Sequence, residues 1–421
     1  MNLKIILHIQ KVEKIPCHIS RSISIIFFAS VISLLLVGCA VFKKEPVKIK
    51  ETALIKIDSK EYPEFVDDMD YDGLEYSISR SISYLERVPA ARTFRFGKDV
   101  FDTAHMKRSM EHFLRFIKTK PSYKHLRRYI DSNYIVYRSI GRDNRGQVLF
   151  TGYYEPFLAG SLTQSAEYRF PIYEHPDDLT TIDLSLFSPL FKGETIVGRY
   201  VNRSVIPYYD RKAIEEEMVL AGNARQIAWL KDRIDLFFLQ IQGSGKIHLN
   251  NGKAINVHYH ATNGKPYRSI GKLLIDKGLI PREEMSMQKI RDYLRQNPAE
   301  VEAVLNYNPS YVFFKIEAEG PLGYLEVKLT PGRSIALDRR IFPLSGLAFI
   351  ETQKPLIDGA GQIYRWKGFT RFVLNHDTGG AIRGPGRADL FWGSGAYAEI
   401  AAGHMQHNGK LYFLVLKPDV I

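Results

Sequence analysis

Beyond Tyr311 the sequence is divided by glycine and proline into short apolar or β-branched runs, at 312–316, 323–329, 334–337, 372–374 and 412–416. Each run has the length of a strand and none sustains helical periodicity. Many short strands with Gly/Pro turns form the pattern of a small β-barrel, an architecture whose closure leaves no strand edge unpaired.

Upstream, both strands and helices are readable. Residues 148–154 are mostly β-branched or aromatic and close on Glu155-Pro156, a strand entering a turn. The apolar run at 234–242 predicts a second strand, ending at Gly-Ser-Gly 243–245. Ile247 and Leu249, then Asn-Asn-Gly at 250–252, then Ile255, Val257 and Tyr259 predict a hairpin. One helix should start with Thr103 as N-cap and bury Met106, Met110, Phe113, Leu114 and Ile117. Another begins at Ser286, with Met287, Ile290, Tyr293 and Leu294 inward. A third has Asn297 as cap, Pro298 first and Glu300 at the capping-box position.

The N-terminus carries an address. Lys4, Lys11, Lys14 and Arg21 precede an apolar run at 23–36 that ends in Leu-Val-Gly-Cys at 36–39. A basic start, a short apolar stretch and small residues at the cut describe a secretory signal peptide. The run falls short of the roughly 20 apolar residues that a membrane-spanning helix needs. The ending resembles the bacterial lipobox, which implies cleavage before Cys39 and a diacylglycerol on its sulfur. Ala40, rather than Asp, follows it, which favours the outer membrane facing the periplasm.

Composition then excludes several classes. The 383 residues from Cys39 onward suffice for two domains, and at 45% hydrophobic residues the chain can build real cores. The only cysteines are Cys17, in the segment removed, and Cys39, so the mature protein has no disulfide and no thiolate metal site. The formal charge of +12 falls to +9 once the leader is gone. An exported location argues against nucleic acid as partner, and positive charge suits a polyanionic wall polymer or an anionic membrane face. No metal site is expected, because the histidine pairs 258/260 and 404/407 have no acidic partner at ligand spacing.

The segment 375–395 is the richest in chemistry, with six glycines in 21 residues marking tight turns. Asp389 lies within Ala-Asp-Leu-Phe-Trp, where apolar walls would desolvate a carboxyl and make it a general acid; it could equally cap a turn. Asp377 precedes Thr-Gly-Gly and reads as a hydrogen-bonding aspartate, with Asp338 as a possible third member of the cluster. Thr151, Tyr153 and Tyr154 offer aromatic and polar surface suited to sugar rings. Gln240, Gln242 and Ser244 stand beside a Gly-x-Gly turn and could bind hydroxyl and N-acetyl groups.

Eight motifs run in order: Phe-Thr-Gly-Tyr-Tyr-Glu-Pro at 150–156, Leu-Phe-Phe-Leu-Gln-Ile-Gln-Gly-Ser-Gly at 236–245, and Tyr-Arg-Ser-Ile-Gly-Lys at 267–272. Met-Ser-Met-Gln-Lys-Ile at 285–290, Asn-Pro-Ser-Tyr-Val-Phe-Phe at 308–314 and Leu-Thr-Pro-Gly-Arg-Ser at 329–334 follow. Asp-Thr-Gly-Gly-Ala-Ile at 377–382 and Asp-Leu-Phe-Trp-Gly-Ser-Gly at 389–395 complete the series. In these motifs the chain resembles the membrane-bound lytic murein transglycosylase A family. The resemblance implies a mainly β fold with α elements: a double-psi β-barrel with an inserted second β-rich domain and a glycan groove between them.

On this chain that implies a signal peptide at 1–38, a tether at 39–70, barrel segments at 71–156 and 310–421, and an insertion at 157–309. The last segment would be the 3D domain, its three aspartates matching Asp338, Asp377 and Asp389. By the same resemblance Asp389 is the catalytic acid/base, Asp377 supports it, and no cofactor is required. The implied substrate is the peptidoglycan glycan strand, cut to 1,6-anhydromuramyl ends. The membrane is met through the N-terminal lipid, and cell-wall synthases or scaffold proteins are candidate protein partners. A water-using hydrolase of the same fold and a non-catalytic peptidoglycan-binding lipoprotein are the alternatives.

Overall fold

The computed structural model describes residues 53–420. Cys39 and the signal segment lie outside the described residues. The first helices are α1 (Leu74–Arg87), α2 (Thr103–Ile117) and α3 (Tyr123–Asn133). Met106, Met110, Phe113 and Ile117 form the buried stripe of α2, at the three-to-four spacing expected. Its N-cap is Asp102 rather than Thr103: the Asp102 carboxylate accepts from the His105 N–H at 2.7 Å. The Thr103 hydroxyl donates instead to the Pro89 carbonyl.

Strand β1 (Tyr134–Ser139) leads into β2 (Val148–Glu155). The insertion then builds its own six-stranded sheet from β3 (Phe157–Ser161), β4 (Phe170–Tyr173), β5 (Gln226–Leu230), β6 (Ser244–Leu249), β7 (Ala254–Thr262) and β8 (Val312–Glu317). The β6–β7 hairpin pairs as expected. The run at 234–242 is not a strand but helix α4 (Arg233–Gln242). A run apolar at nearly every position and buried from Leu236 to Gln240 carries no clear period. Its ends are the legible signal: the Asp232 carboxylate caps the Ile234 N–H, and Gly243 is left-handed at φ 77°.

Three helices follow, α5 (Ile270–Asp276), α6 (Met287–Gln296) and α7 (Val301–Asn306), packed with α4 in a separate apolar cluster. Ser286 caps α6 as expected. No capping box forms at 297–300, because the Asn297 side chain donates back to the Tyr293 carbonyl and Glu300 accepts from the Tyr293 hydroxyl. β8, expected to start the barrel half, pairs instead with β7 of the inserted sheet. The run at 323–329 forms no strand, only a single bridge between Leu322 and Lys328.

The chain then returns to the first sheet with β9 (Ser334–Ala336), β10 (Leu347–Ile357), β11 (Ile363–Asp377) and β12 (Arg387–Ser394), followed by α8 (Ala396–His404) and β13 (Gln406–Leu416). Pairing runs β2–β12–β9–β11–β10–β13 and returns to β2, a closed six-stranded barrel. The β2–β12 and β9–β11 pairs are parallel and the other four antiparallel. Closure falls on β13, whose Gln406–Gly409 half pairs with β2 and whose later half pairs with β10 and β1. Gly409 sits at that switch, where a Cβ would overlap the Glu351 carbonyl and the Phe150 ring. A barrel with an inserted β-rich unit is the fold that the motifs imply.

The stretch expected to be tether differs from that expectation. Leu54–Lys56 pairs with β1, and Phe65 is fully buried against Phe349 and Phe372. Asp67 and Asp68 take the guanidiniums of Arg333 and Arg371. From Ala53 onward this segment packs on the barrel, and residues 39–52 of it lie outside the described residues.

Candidate active site

Strand alternation sorts the site. Along β12, Ala388, Leu390 and Trp392 enter the core while Arg387, Asp389 and Phe391 take the other face. Along β2, Phe150 and Tyr154 are core residues, and Thr151 and Tyr153 share the face of Asp389. Gly152 lies between them because a Cβ there would come within 2.7 Å of the Trp392 indole. The parallel register sets Asp389 opposite Thr151 and Phe391 opposite Tyr153.

Three polar groups interlock at Asp389. The Thr151 hydroxyl donates to Oδ1, and Arg387 Nε donates to the same oxygen at 3.1 Å. Arg387 Nη2 donates to Thr151 Oγ1 at 3.0 Å, closing the triangle. Oδ2 accepts no hydrogen bond among the described residues. The side chain keeps 19% of its surface exposed. Of the aromatic residues that follow it in the sequence, Trp392 faces the core and Phe391 packs on the Tyr153 ring at 5.2 Å.

Asp377 ends β11 one strand beyond. Ala336 of β9 pairs with Asp377 on one side and Asp389 on the other, so two strand spacings, roughly 10 Å, separate their backbones. Its Oδ2 accepts from the Tyr153 hydroxyl at 2.9 Å. Its Oδ1 accepts from the backbone N–H groups of Thr378 at 2.8 Å and Tyr324 at 2.9 Å. Burial pushes its pKa up to about 6 against the pull of these donors, and the charge of Asp389 adds to the rise. Burial and the Asp377 charge drive the Tyr153 hydroxyl far upward, so it remains a donor.

Asp338 belongs to the same turn system but not to the reactive face. Its buried carboxylate accepts from Arg340 Nε and Nη2, and from the Gly384 N–H at 2.8 Å. Burial alone would raise its pKa, but those donors hold it below the ordinary value. His376 turns inward between the hydroxyls of Ser81 and Ser334, and burial depresses it to about 3, leaving it neutral.

The structure brings together Thr151, Tyr153, Asp377 and Asp389. It sets the other candidates apart. The Tyr154 ring is 3% exposed, inside the barrel core, and its N–H donates to Gln242 Oε1 at 3.0 Å. Gln240 is buried, accepting from Arg211 at 2.6 Å, and Ser244 is buried at the start of β6. The Tyr154–Gln242 bond joins β2 to α4, and Tyr154, Gln240 and Ser244 are buried. Arg387 is the site residue that sequence reasoning passed over; its signal was position, two residues from Asp389 on one strand face.

The insertion supplies further groups. The Tyr267 hydroxyl lies in the field of Asp389, Arg387 and Arg211, and the ring is 42% exposed. Tyr259, equally exposed, is influenced by Arg339 and Tyr324, and Arg339 donates to the Tyr324 hydroxyl. Tyr153 and Tyr324 of the barrel half contact Asp377 directly, through a hydroxyl and a backbone N–H.

Residues 149–315 match the MltA specific insert domain, and residues 333–415 match the 3D domain. The chain is 34% identical over 281 residues to membrane-bound lytic murein transglycosylase A of Escherichia coli strain K12, covering 66% of this chain and 68% of that protein. The Vibrio cholerae protein of the same name is 31% identical over 282 residues, with the same shares covered. A membrane-bound lytic murein transglycosylase from Agrobacterium tumefaciens superposes with a TM-score of 0.70 at 30% identity, over 86% of this chain and 98% of that one. E. coli MltA with bound chitohexaose superposes with a TM-score of 0.65 at 26% identity, over 87% and 94%. On these grounds the chain belongs to the membrane-bound lytic murein transglycosylase A family.

Proposed function

We propose that the protein cleaves the β-1,4 bond from N-acetylmuramic acid to N-acetylglucosamine in peptidoglycan and leaves a 1,6-anhydromuramyl end. The observation that carries this reading is the inequality of the two carboxyls. Among the described residues Asp389 Oδ2 has no partner, while both oxygens of Asp377 are taken by three donors. Glycosidases ordinarily need a second carboxylate to activate water or attack the sugar. A substrate that carries its own nucleophile needs one.

In its protonated form Asp389 donates from Oδ2 to the glycosidic oxygen as the C1–O bond breaks and positive charge develops at C1 of the muramic sugar. The resulting carboxylate removes the proton of that sugar's C6 hydroxyl, and O6 bonds to C1. Asp389 ends protonated and no water is consumed. Intramolecular attack has a high effective molarity, so shape and one acid suffice. Thr151 and Arg387 hold Oδ1, which fixes the carboxyl plane and favours the charge that appears on it during the first step. Asp377 carries negative charge above about pH 6 and so favours the cationic centre.

The E. coli relative crystallised with chitohexaose supports a β-linked amino-sugar polymer as ligand. Tyr259, Tyr267 and Tyr324 provide faces on which sugar rings can stack. The relatives named membrane-bound agree with an anchor at Cys39, which would place the enzyme on the periplasmic face of the outer membrane. No helix among the described residues is long and apolar enough to cross a membrane. Mass spectrometry of muropeptide products tests the reaction: anhydro ends weigh one water less than reducing ends. Reducing ends as the main product would replace this reading with a hydrolase.

A further inference from the structure

A cavity of about 340 Å³ adjoins the site at the start of β12. Three arginines line it, Arg142, Arg383 and Arg387, together with the glycine-rich backbone at 384–386. The arrangement is built rather than incidental. Gly386 packs so closely on Arg142 that a Cβ would meet its backbone at 2.7 Å, and the Gly386 carbonyl accepts from the Leu149 N–H at 2.9 Å. The neighbouring Gly384 N–H is held by Asp338, itself clamped by Arg340. Two of the three aspartates of the 3D segment thus meet this cavity, one shaping its rim and one at its mouth through Arg387.

The charges there are unbalanced. Arg333, Arg371 and Arg211 each have a carboxylate partner elsewhere in the protein. Among the described residues Arg142 and Arg383 form no ion pair, and Arg387 shares only Asp389. Arg387 and Asp389 are two positions apart on one strand face, about 7 Å. A substituent on a sugar seated at Asp389 therefore reaches the cavity.

We propose that this cavity is a carboxylate site that receives the acidic peptide carried on the lactyl group of the muramic sugar. Guanidinium forks match carboxylates in geometry, and a cleft of this volume holds a carboxylate and the residue that bears it. The proposal rests on the peptidoglycan reading above and adds a preference: glycan bearing stem peptides is cut faster than glycan stripped of them.

The test compares intact sacculi with sacculi whose peptides have been removed by an amidase, using the wild type, Arg142→Ala, Arg383→Ala and the double variant. The wild type should favour peptide-bearing glycan, and the double variant should lose about tenfold in kcat/KM on it, one charge-assisted contact. Turnover of peptide-free glycan should change less than twofold. Equal losses on both substrates, or no loss on either, overturn the proposal. Calorimetric binding of a disaccharide-tetrapeptide, against the same disaccharide without peptide, reads the cavity independently of turnover. If the wild type cuts neither glycan yet binds the tetrapeptide form more tightly, and the double variant does not, the cavity assignment stands and the transglycosylase reading fails. Equal binding of the two probes by the wild type overturns the assignment.

Discussion

The barrel sets aspartate beside arginine in two regions and satisfies the two carboxylates to different degrees. In the N-terminal wrap, Asp67 accepts from Arg333 Nη1 and Nη2 and from the N–H groups of Met69, Tyr71 and Phe372. Arg333 is completely buried and Asp67 nearly so. At the site, Asp389 gives one oxygen to Thr151 and Arg387 and leaves the other open. A carboxylate that fastens the fold has every lone pair engaged. A carboxyl that must release and recover a proton has to stay partly unengaged. On the proposed reaction, the two aspartates differ in role by how completely they are satisfied.

That contrast predicts a double dissociation. Asp389→Asn should cut turnover of peptidoglycan about a thousandfold, the scale of a lost general acid, with a thermal midpoint close to wild type. Asp67→Ala should do the reverse. It strands the buried Arg333 charge and should cost about 3–5 kcal/mol in urea unfolding, while each molecule still folded keeps its activity. If Asp389→Asn unfolds the protein, or Asp67→Ala leaves the urea midpoint unchanged, the contrast fails.

Asp377 lies between these extremes and should show it through pH. Its folded pKa of about 6 lies above the unfolded value near 3.8. The folded state therefore holds a proton that the unfolded chain gives up. The stability this group contributes is complete below about pH 4 and is lost as pH rises through 6. Asp377→Asn should remove that loss, narrowing the pH 4.5 to 7 difference in unfolding free energy by at most about 3 kcal/mol. It should also abolish the bend in the pH–rate profile near pH 6; an unchanged bend would assign it to another group.

The smallest effect is expected at the Oδ1 clamp. Thr151→Val keeps the shape of the strand face and removes one donor to Asp389. Turnover should fall about tenfold, which is about 1.4 kcal/mol, the low end for a hydrogen bond to a charged acceptor. No change would show that Arg387 alone orients the carboxyl.

Period and turn chemistry made much of this legible. Aromatic and polar residue types pointed to Thr151, Tyr153 and Tyr154 together, and the glycine-rich turns to Asp377 and Asp389. Strand alternation turns Tyr154 away from Tyr153, into the core. Gln240 and Gln242 lie in the run at 234–242, for which the sequence predicts a strand and the structure shows a helix. In helix α4 a step of two residues turns through about 200°, so Gln240 meets Arg211 and Gln242 meets Tyr154. The wrap by Asp67 and Asp68 was beyond reach, since their arginine partners stand 266 and 303 residues away. Nothing local marks a charge that will be buried by a distant one.

In the proposed reaction one carboxyl acts first as acid and then as base. An N-acetylmuramyl glycoside with an activated aryl leaving group needs no protonation to depart, so it removes only the first of these tasks. The turnover of Asp389→Asn on that substrate is the most direct measurement. The account predicts that the variant stays inactive, because the C6 hydroxyl still lacks a base, while the wild type releases an anhydro product. Recovery of the wild-type rate would contradict it and reduce Asp389 to a proton donor alone.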